Sequence, residues 1–218
     1  MRPRKAALRR PLDRVFAAPS HIAVLRALLD SAEGMSGRQV ARLAEVNNQA
    51  CANALRRLEE SAVVERQGSG QSQLIRLNRE NVLVRALILP LLRGERGTFR
   101  ALLDRLGELI PPRCLQAIVF GSVARGEEEG PSDLDLLLVV DGPTNRRSAR
   151  ERAGETRTRM WKEWGVRVNP ITLTSHELEA RRRRRDPLIV AILRDGVPIG
   201  RAGRTEAGHG GTRKAAAG

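Results

Sequence analysis

The amino-acid sequence predicts an α+β chain of two folded domains, and three observations carry that prediction. Residues 18–80 hold three short segments of helical period, followed by a switch to strand-like alternation. Residues 111–200 hold apolar runs of strand length that alternate with helical segments. Residues 81–110, between them, are helical by pattern and form a connector in which Pro90 and Gly94 mark a kink or break. A chain of 218 residues is long enough for two domains that each bury a core.

The ends need no fold. Residues 1–17 read as a basic flexible arm and 201–218 as a Gly-rich disordered tail. No apolar run approaches the roughly 20 residues that span a bilayer, and no secretory pattern follows the basic start, so no membrane partner and a cytoplasmic location are expected. Cys51 and Cys114 have neither zinc-site spacing nor a disulfide framework and read as small apolar residues. The net charge of +14 favours a polyanionic partner, because clustered Arg and Lys release the counterions of phosphates.

In the first domain, Ser20 to Leu29 places Ile22, Val24, Leu25, Leu28 and Leu29 on one stripe, with Ser20 as a candidate cap. Ser36 and Gln39 have capping-box spacing before a second helix reaching Ala44. Asn47 caps a third helix that runs to about Glu60. Val63–Arg66 and Leu74–Leu77 then read as strands around the hairpin Gln67-Gly68-Ser69-Gly70. Three helices followed by a hairpin resemble a winged helix-turn-helix domain over residues 18–80. The resemblance implies duplex DNA as partner, with the third helix in the major groove and the wing on backbone or minor groove. It places Asn47, Asn48, Gln49, Asn53 and Arg56 on the DNA face, with Arg66 and Gln71 flanking the wing. Asn and Gln pair bidentately with adenine, and Arg pairs with guanine or phosphate. Leu83, Leu87, Leu89, Leu91 and Leu92 exceed what a solvated connector needs, so a packing partner and a homodimer are expected.

In the second domain, the apolar strand Leu115–Phe120 leads into Gly121-Ser122-Val123-Ala124-Arg125-Gly126-Glu127, and Ser132-Asp133 opens a second apolar strand, Leu134–Val140. Asp133 and Asp135, two apart on a strand, leave the same face about 7 Å apart and suit a shared Mg²⁺. Gly121 lets the backbone approach phosphates, and Ser122 adds a hydroxyl beside the amides of the next turn. The combination resembles the minimal nucleotidyltransferases of the DNA polymerase β superfamily, among them the antitoxin-like partners of HEPN proteins. That resemblance implies a polymerase-β-like nucleotidyltransferase fold for residues 111–200. It also implies a nucleoside triphosphate substrate with Mg²⁺ or Mn²⁺, Asp133 and Asp135 as catalytic metal ligands, and Gly121 and Ser122 on the phosphates. Arg125 either reaches phosphate or ties the turn to the aspartate strand, and Ser132 orients or caps the turn before Asp133.

The family's third carboxylate falls on the next strand, Val166–Leu173, where Asn169 takes its place and can ligate metal only weakly. Asp141 lies about 20 Å beyond Asp135 on an extended strand and is no substitute, whereas Glu163 becomes the alternative if the register differs. Arg181–Arg185 reads as a solvated helix end or a phosphate clamp, and Leu188–Leu193 with Asp195-Gly196 resembles the family's closing helix and turn. Two functions follow. One is transfer of a nucleoside monophosphate, most simply AMP, to a hydroxyl acceptor such as a HEPN-type toxin. The other is a DNA-binding repressor whose transferase domain is a degenerate nucleotide sensor or partner platform.

Overall fold

The computed structural model describes residues 9–68, 73–111, 113–128 and 133–200. The chain divides into two compact units between Gly97 and Thr98, inside the stretch expected as a connector.

The first unit holds α1 (Leu12–Val15), α2 (Pro19–Leu28), α3 (Gly37–Leu43) and α4 (Asn48–Glu59), then the antiparallel hairpin β1 (Val64–Gln67) and β2 (Leu74–Leu77). Local chemistry sets the helix starts. Ser36 and Gln39 close the expected capping box on α3, and the Asn47 carboxamide oxygen accepts from the Ala50 amide at 2.8 Å on α4. Ser20 is not the cap of α2. Ala18 holds the extended cap conformation and Pro19, whose φ is already helical, takes the first turn. Val24, Leu25, Leu28, Val40, Leu55, Leu58, Ile75 and Leu77 form the core, and Met35 pairs with Ile75 through a single antiparallel bridge. Val15 of α1 is fully buried in that core, so the N-terminal arm becomes part of the fold before residue 17. Cys51 is buried as expected and Cys114 half-buried; desolvation pushes both thiols up.

The helical stretch that follows departs from expectation in an instructive way. There is no break at Gly94. A π-helical turn, Val84–Ile88, runs directly into α5 (Leu89–Glu108), and the Leu89 amide donates to the Val84 carbonyl. Pro90 offers no amide to the carbonyl four residues back, and the wider turn absorbs that lost bond. An isolated Gly costs a helix only about 1 kcal/mol, and here two ion pairs hold the turn that follows Gly94: Arg26 with Glu95, and Arg96 with Asp30. Of the connector leucines, Leu89 and Leu92 are buried in the first core, while Leu87 and Leu91 stay exposed, as does Val82.

The second unit contains β3 (Cys114–Phe120), α6 (Ser122–Arg125), β4 (Leu134–Val140), α7 (Gly142–Trp164), β5 (Val168–Thr174), α8 (Ser175–Arg183), α9 (Pro187–Asp195) and β6 (Val197–Pro198). The sheet order is β5-β4-β3-β6, with β4 parallel to β5 and the other pairs antiparallel. β4 is buried on both faces, which explains its unbroken apolar run. On one face Leu134, Leu136 and Leu138 pack with Leu106, Met160 and Val168; on the other Leu137 and Val139 pack with Leu173, Ile189 and Ile192. No helix among the described residues is long and apolar enough to cross a membrane.

Candidate functional site

Because β3 runs antiparallel to β4, the C-terminal end of β3 and the start of β4 meet at one edge of the sheet, and parallel β5 begins there too. That edge collects the motif residues. Phe120 pairs with Asp135, so Gly121 follows beside the Asp135 carboxylate. Gly121 has φ 82° and ψ −157°, a region open essentially to glycine alone. A Cβ there would stand 2.7 Å from Asp135 Oδ2. Glycine is therefore required by the carboxylate itself, a reason additional to phosphate approach. The four residues of α6 are too few to build an appreciable helix dipole, but they turn the chain sharply, and the Glu127 amide closes the turn on the Ser122 carbonyl at 3.0 Å.

Asp135 is the half-buried interruption of an otherwise buried β4, and Asp133, just before the strand, is exposed. Asn169 stands directly opposite Asp135 across the parallel β4–β5 pair. Its amide nitrogen donates to Asp133 Oδ2 at 3.1 Å. Asn169 thus meets the aspartates at the position expected for the third ligand, but it acts there as a hydrogen-bond donor. Among the described residues no group of three or more His, Cys, Asp or Glu side chains is placed to hold a metal. Two carboxylates nevertheless suit Mg²⁺, which keeps several waters and draws its remaining ligands from substrate phosphates.

The other candidates are distributed differently. Arg125 pairs with Glu127 at 2.6 Å, tying the turn to its own exit instead of to the aspartate strand. Asp195 is held below the usual carboxylate range by its bond from Arg194, with a smaller contribution from the Arg125 charge. Glu163 is engaged by Arg105 at 2.7 and 2.9 Å, and Asp141 follows the far end of β4 at the start of α7, so neither joins the aspartates. In the Arg181–Arg185 run, Arg182 and Arg183 lie near Glu179 and Arg181 near Asp186, as on a solvated helix end. Ser132 lies outside the described residues, as does Gln71.

On the first unit, Asn48, Gln49, Asn53 and Arg56 are exposed along α4, away from its buried Cys51, Ala54, Leu55 and Leu58. Gln49 and Arg56 both donate to the Asn53 carboxamide oxygen, at 3.5 and 3.3 Å, which lines the three up on one face. Asn47 differs, because its oxygen is committed to the cap. Arg66 on the wing is bonded to Glu59 of α4 and to Gln73, contacts between elements that no local pattern could announce.

Comparison with known proteins adds one domain-level match. Residues 100–193 match the family model described as a nucleotidyltransferase domain, spanning the strand–turn–strand just described. No curated protein matches the chain. A solved structure of a MarR family transcription regulator is 15% identical over 72% of this chain and 89% of its own, with a TM-score of 0.31. TrmBL2, an archaeal chromatin protein, is 19% identical over 81% of this chain and 70% of its own, with a TM-score of 0.26. Likenesses that low carry no weight in assigning the first unit, which rests on the order and pairing of its own elements. The chain is an α+β protein with a winged-helix arrangement in its first unit and a nucleotidyltransferase-domain match across its second.

Proposed function

We propose that this is a DNA-binding winged-helix protein whose second unit binds a nucleoside triphosphate with Mg²⁺ or Mn²⁺ and transfers the nucleoside monophosphate, most simply AMP, to a hydroxyl acceptor. The observation that carries the reading is the closeness of Gly121 to Asp135, which leaves a side-chain-free backbone against a carboxylate that Asn169 faces from β5. Asp133 and Asp135 hold the cation. When bound, the cation neutralises phosphate charge and eases deprotonation of the attacking hydroxyl. The Gly121-Ser122 backbone and the Ser122 hydroxyl bind the terminal phosphates, and Arg125, anchored by Glu127, keeps the turn in shape. The acceptor oxygen bonds to the α-phosphorus, the bridging P–O bond breaks and pyrophosphate leaves with its electron pair, while the hydroxyl proton passes to water. The acceptor is a nucleic acid or a protein such as a HEPN-type toxin.

Calorimetry of ATP binding with and without Mg²⁺ tests this. Metal-dependent binding lost in Asp135→Asn is expected; binding indifferent to both metal and Asp135 overturns it. Asn169→Asp should tighten Mg²⁺ binding by restoring an anionic ligand. A second reading has an observation of its own: Asn169 donates to Asp133, which favours a nucleotide sensor without turnover. Metal-dependent ATP binding with no label transferred from ATP to any lysate component would select it. For the first unit, gel shifts should weaken with salt and on Arg56→Ala. Exposed Val82, Leu87 and Leu91 are the surface for a homodimer, and a monomer at tens of micromolar by sedimentation would exclude one.

A further inference from the structure

The second unit carries a cationic stripe that ends in an aromatic side chain, and neither the turn nor the carboxylates use it. At 3.6 residues per turn, Arg146, Arg150, Arg157 and Trp161 of α7 fall within about 60° of one another, beside the buried face of Ala149, Ala153 and Met160. Arg150 and Arg157 are exposed and form no ion pair among the described residues, while Arg146 pairs with Glu177. Trp161 is 55% exposed, an apolar surface that water wets at a cost and that the core does not need. The Arg167 guanidinium lies 5.4 Å from the centre of its ring.

The position of Arg167 gives the stripe a direction. Its carbonyl accepts from the Leu134 amide at 2.7 Å, and Leu134 is the residue between Asp133 and Asp135. Two residues on, Asn169 faces Asp135. The stripe therefore ends beside the carboxylate edge of the sheet, and from Arg150 to Trp161 it covers about 16 Å of helix, more than one nucleotide needs.

We propose that Trp161 and Arg167 form a stacking platform for an unpaired base of a single-stranded nucleic acid, whose backbone follows Arg150 and Arg157 and whose terminal hydroxyl meets Asp133 and Asp135. Stacking is tolerant of sequence because every base has a π-face, and guanidinium charge over an aromatic ring strengthens it. This rests on the transferase reading for the chemistry: the strand's terminal oxygen bonds to the α-phosphorus, pyrophosphate leaves with the electron pair of the broken bond, and the hydroxyl proton passes to water. Binding of the strand stands apart from that reading.

The full chain tests it, because its two tryptophans both lie on α7 and single substitutions separate the exposed Trp161 from Trp164, which packs against the core. In Trp164→Phe, a short unstructured RNA or DNA strand should quench the remaining fluorescence, whereas in Trp161→Phe it should not. Affinity for the labelled strand should fall about tenfold in Trp161→Ala and stay within about twofold in Trp161→Phe. A base-free polyphosphate that quenches Trp161 as strongly as the strand overturns the platform, as does quenching by ATP alone, which would give the ring to the incoming nucleotide. An unquenched Trp161 beside intact metal-dependent ATP binding overturns the platform and leaves the transferase reading standing. Strand quenching with ATP binding that ignores Asp135 does the reverse.

Discussion

The two units start helices with the same device built from different chemistry. In the first, Ser36 and Gln39 box the start of α3 without a formal charge. In the second, Thr174 and Glu177 form the same box on α8, and the Glu177 carboxylate is also held by Arg146. The contrast extends to the functional surfaces. Gln49, Asn53 and Arg56 project from α4 away from its core and bond mainly to one another, so folding asks little of them. Asp135 and Asn169 sit inside a strand register and Gly121 directly follows a strand, where an added methyl group meets a carboxylate at 2.7 Å. An exposed helix face can be rewritten at little cost to the fold, whereas a cluster built at a sheet edge cannot.

The comparison breaks most visibly where the second unit has no room. At Gly196 a Cβ would lie 2.4 Å from both Ile118 Cγ2 and the Ile192 carbonyl. Gly196→Ala should cost about 3 kcal/mol, read from urea unfolding followed by tryptophan fluorescence, which reports the second unit. An unmoved midpoint would show that the turn yields. Gly121→Ala comes next. Its backbone conformation alone costs about 1–3 kcal/mol for a residue with a Cβ, and displacing the Asp135 carboxylate should weaken metal-dependent ATP binding by about tenfold. Retained binding in calorimetry would separate the glycine from the site.

In the first unit the expected effects are smaller and divide cleanly. Asn47→Ala should destabilise it by about 1 kcal/mol through loss of the cap, measured by circular dichroism on heating. Arg56→Ala should leave stability within about 0.5 kcal/mol, yet reduce the salt slope of DNA binding by about one. Equal stability losses in the two variants would erase the distinction between the cap and the exposed face.

The smallest effect is acid sensitivity. The Thr174 backbone amide, then Arg146, hold Glu177 down at about 2. A carboxylate lowered on folding contributes stability that is complete above its unfolded value of about 4.3 and fades as pH falls toward 2. With 40% of its side chain exposed and screened by solvent, the contribution is modest. Glu177→Gln should flatten the pH dependence of second-unit unfolding between those values, and the Ser36–Gln39 box should contribute no such slope. An unchanged slope in Glu177→Gln would assign the acid sensitivity to other carboxylates.

What the sequence determined by itself was whatever depends on neighbours within a few residues. The Ser36 box, the Asn47 cap, the apolar periods of α2 to α4, the doubly buried β4 and the turn after β3 are each set by short-range hydrogen bonding or by the spacing of apolar side chains. Pro90 announced a disturbance, but whether it became a break or a π turn depended on the packing of Val84, Ile88 and Leu92 in the first core. The tertiary structure alone decided which distant groups meet: Arg66 with Glu59, Arg105 with Glu163, Asn169 with Asp133, and Gly121 against Asp135. Strand register and helix docking bring these pairs together across 7 to 58 positions of sequence, a separation over which no local period carries information. The residue types of the candidate site could therefore be read from the sequence, while the Asn169 hydrogen bond to Asp133 and the engagement of Glu163 could not, because both are set by the way α5, α7 and β5 pack around β4.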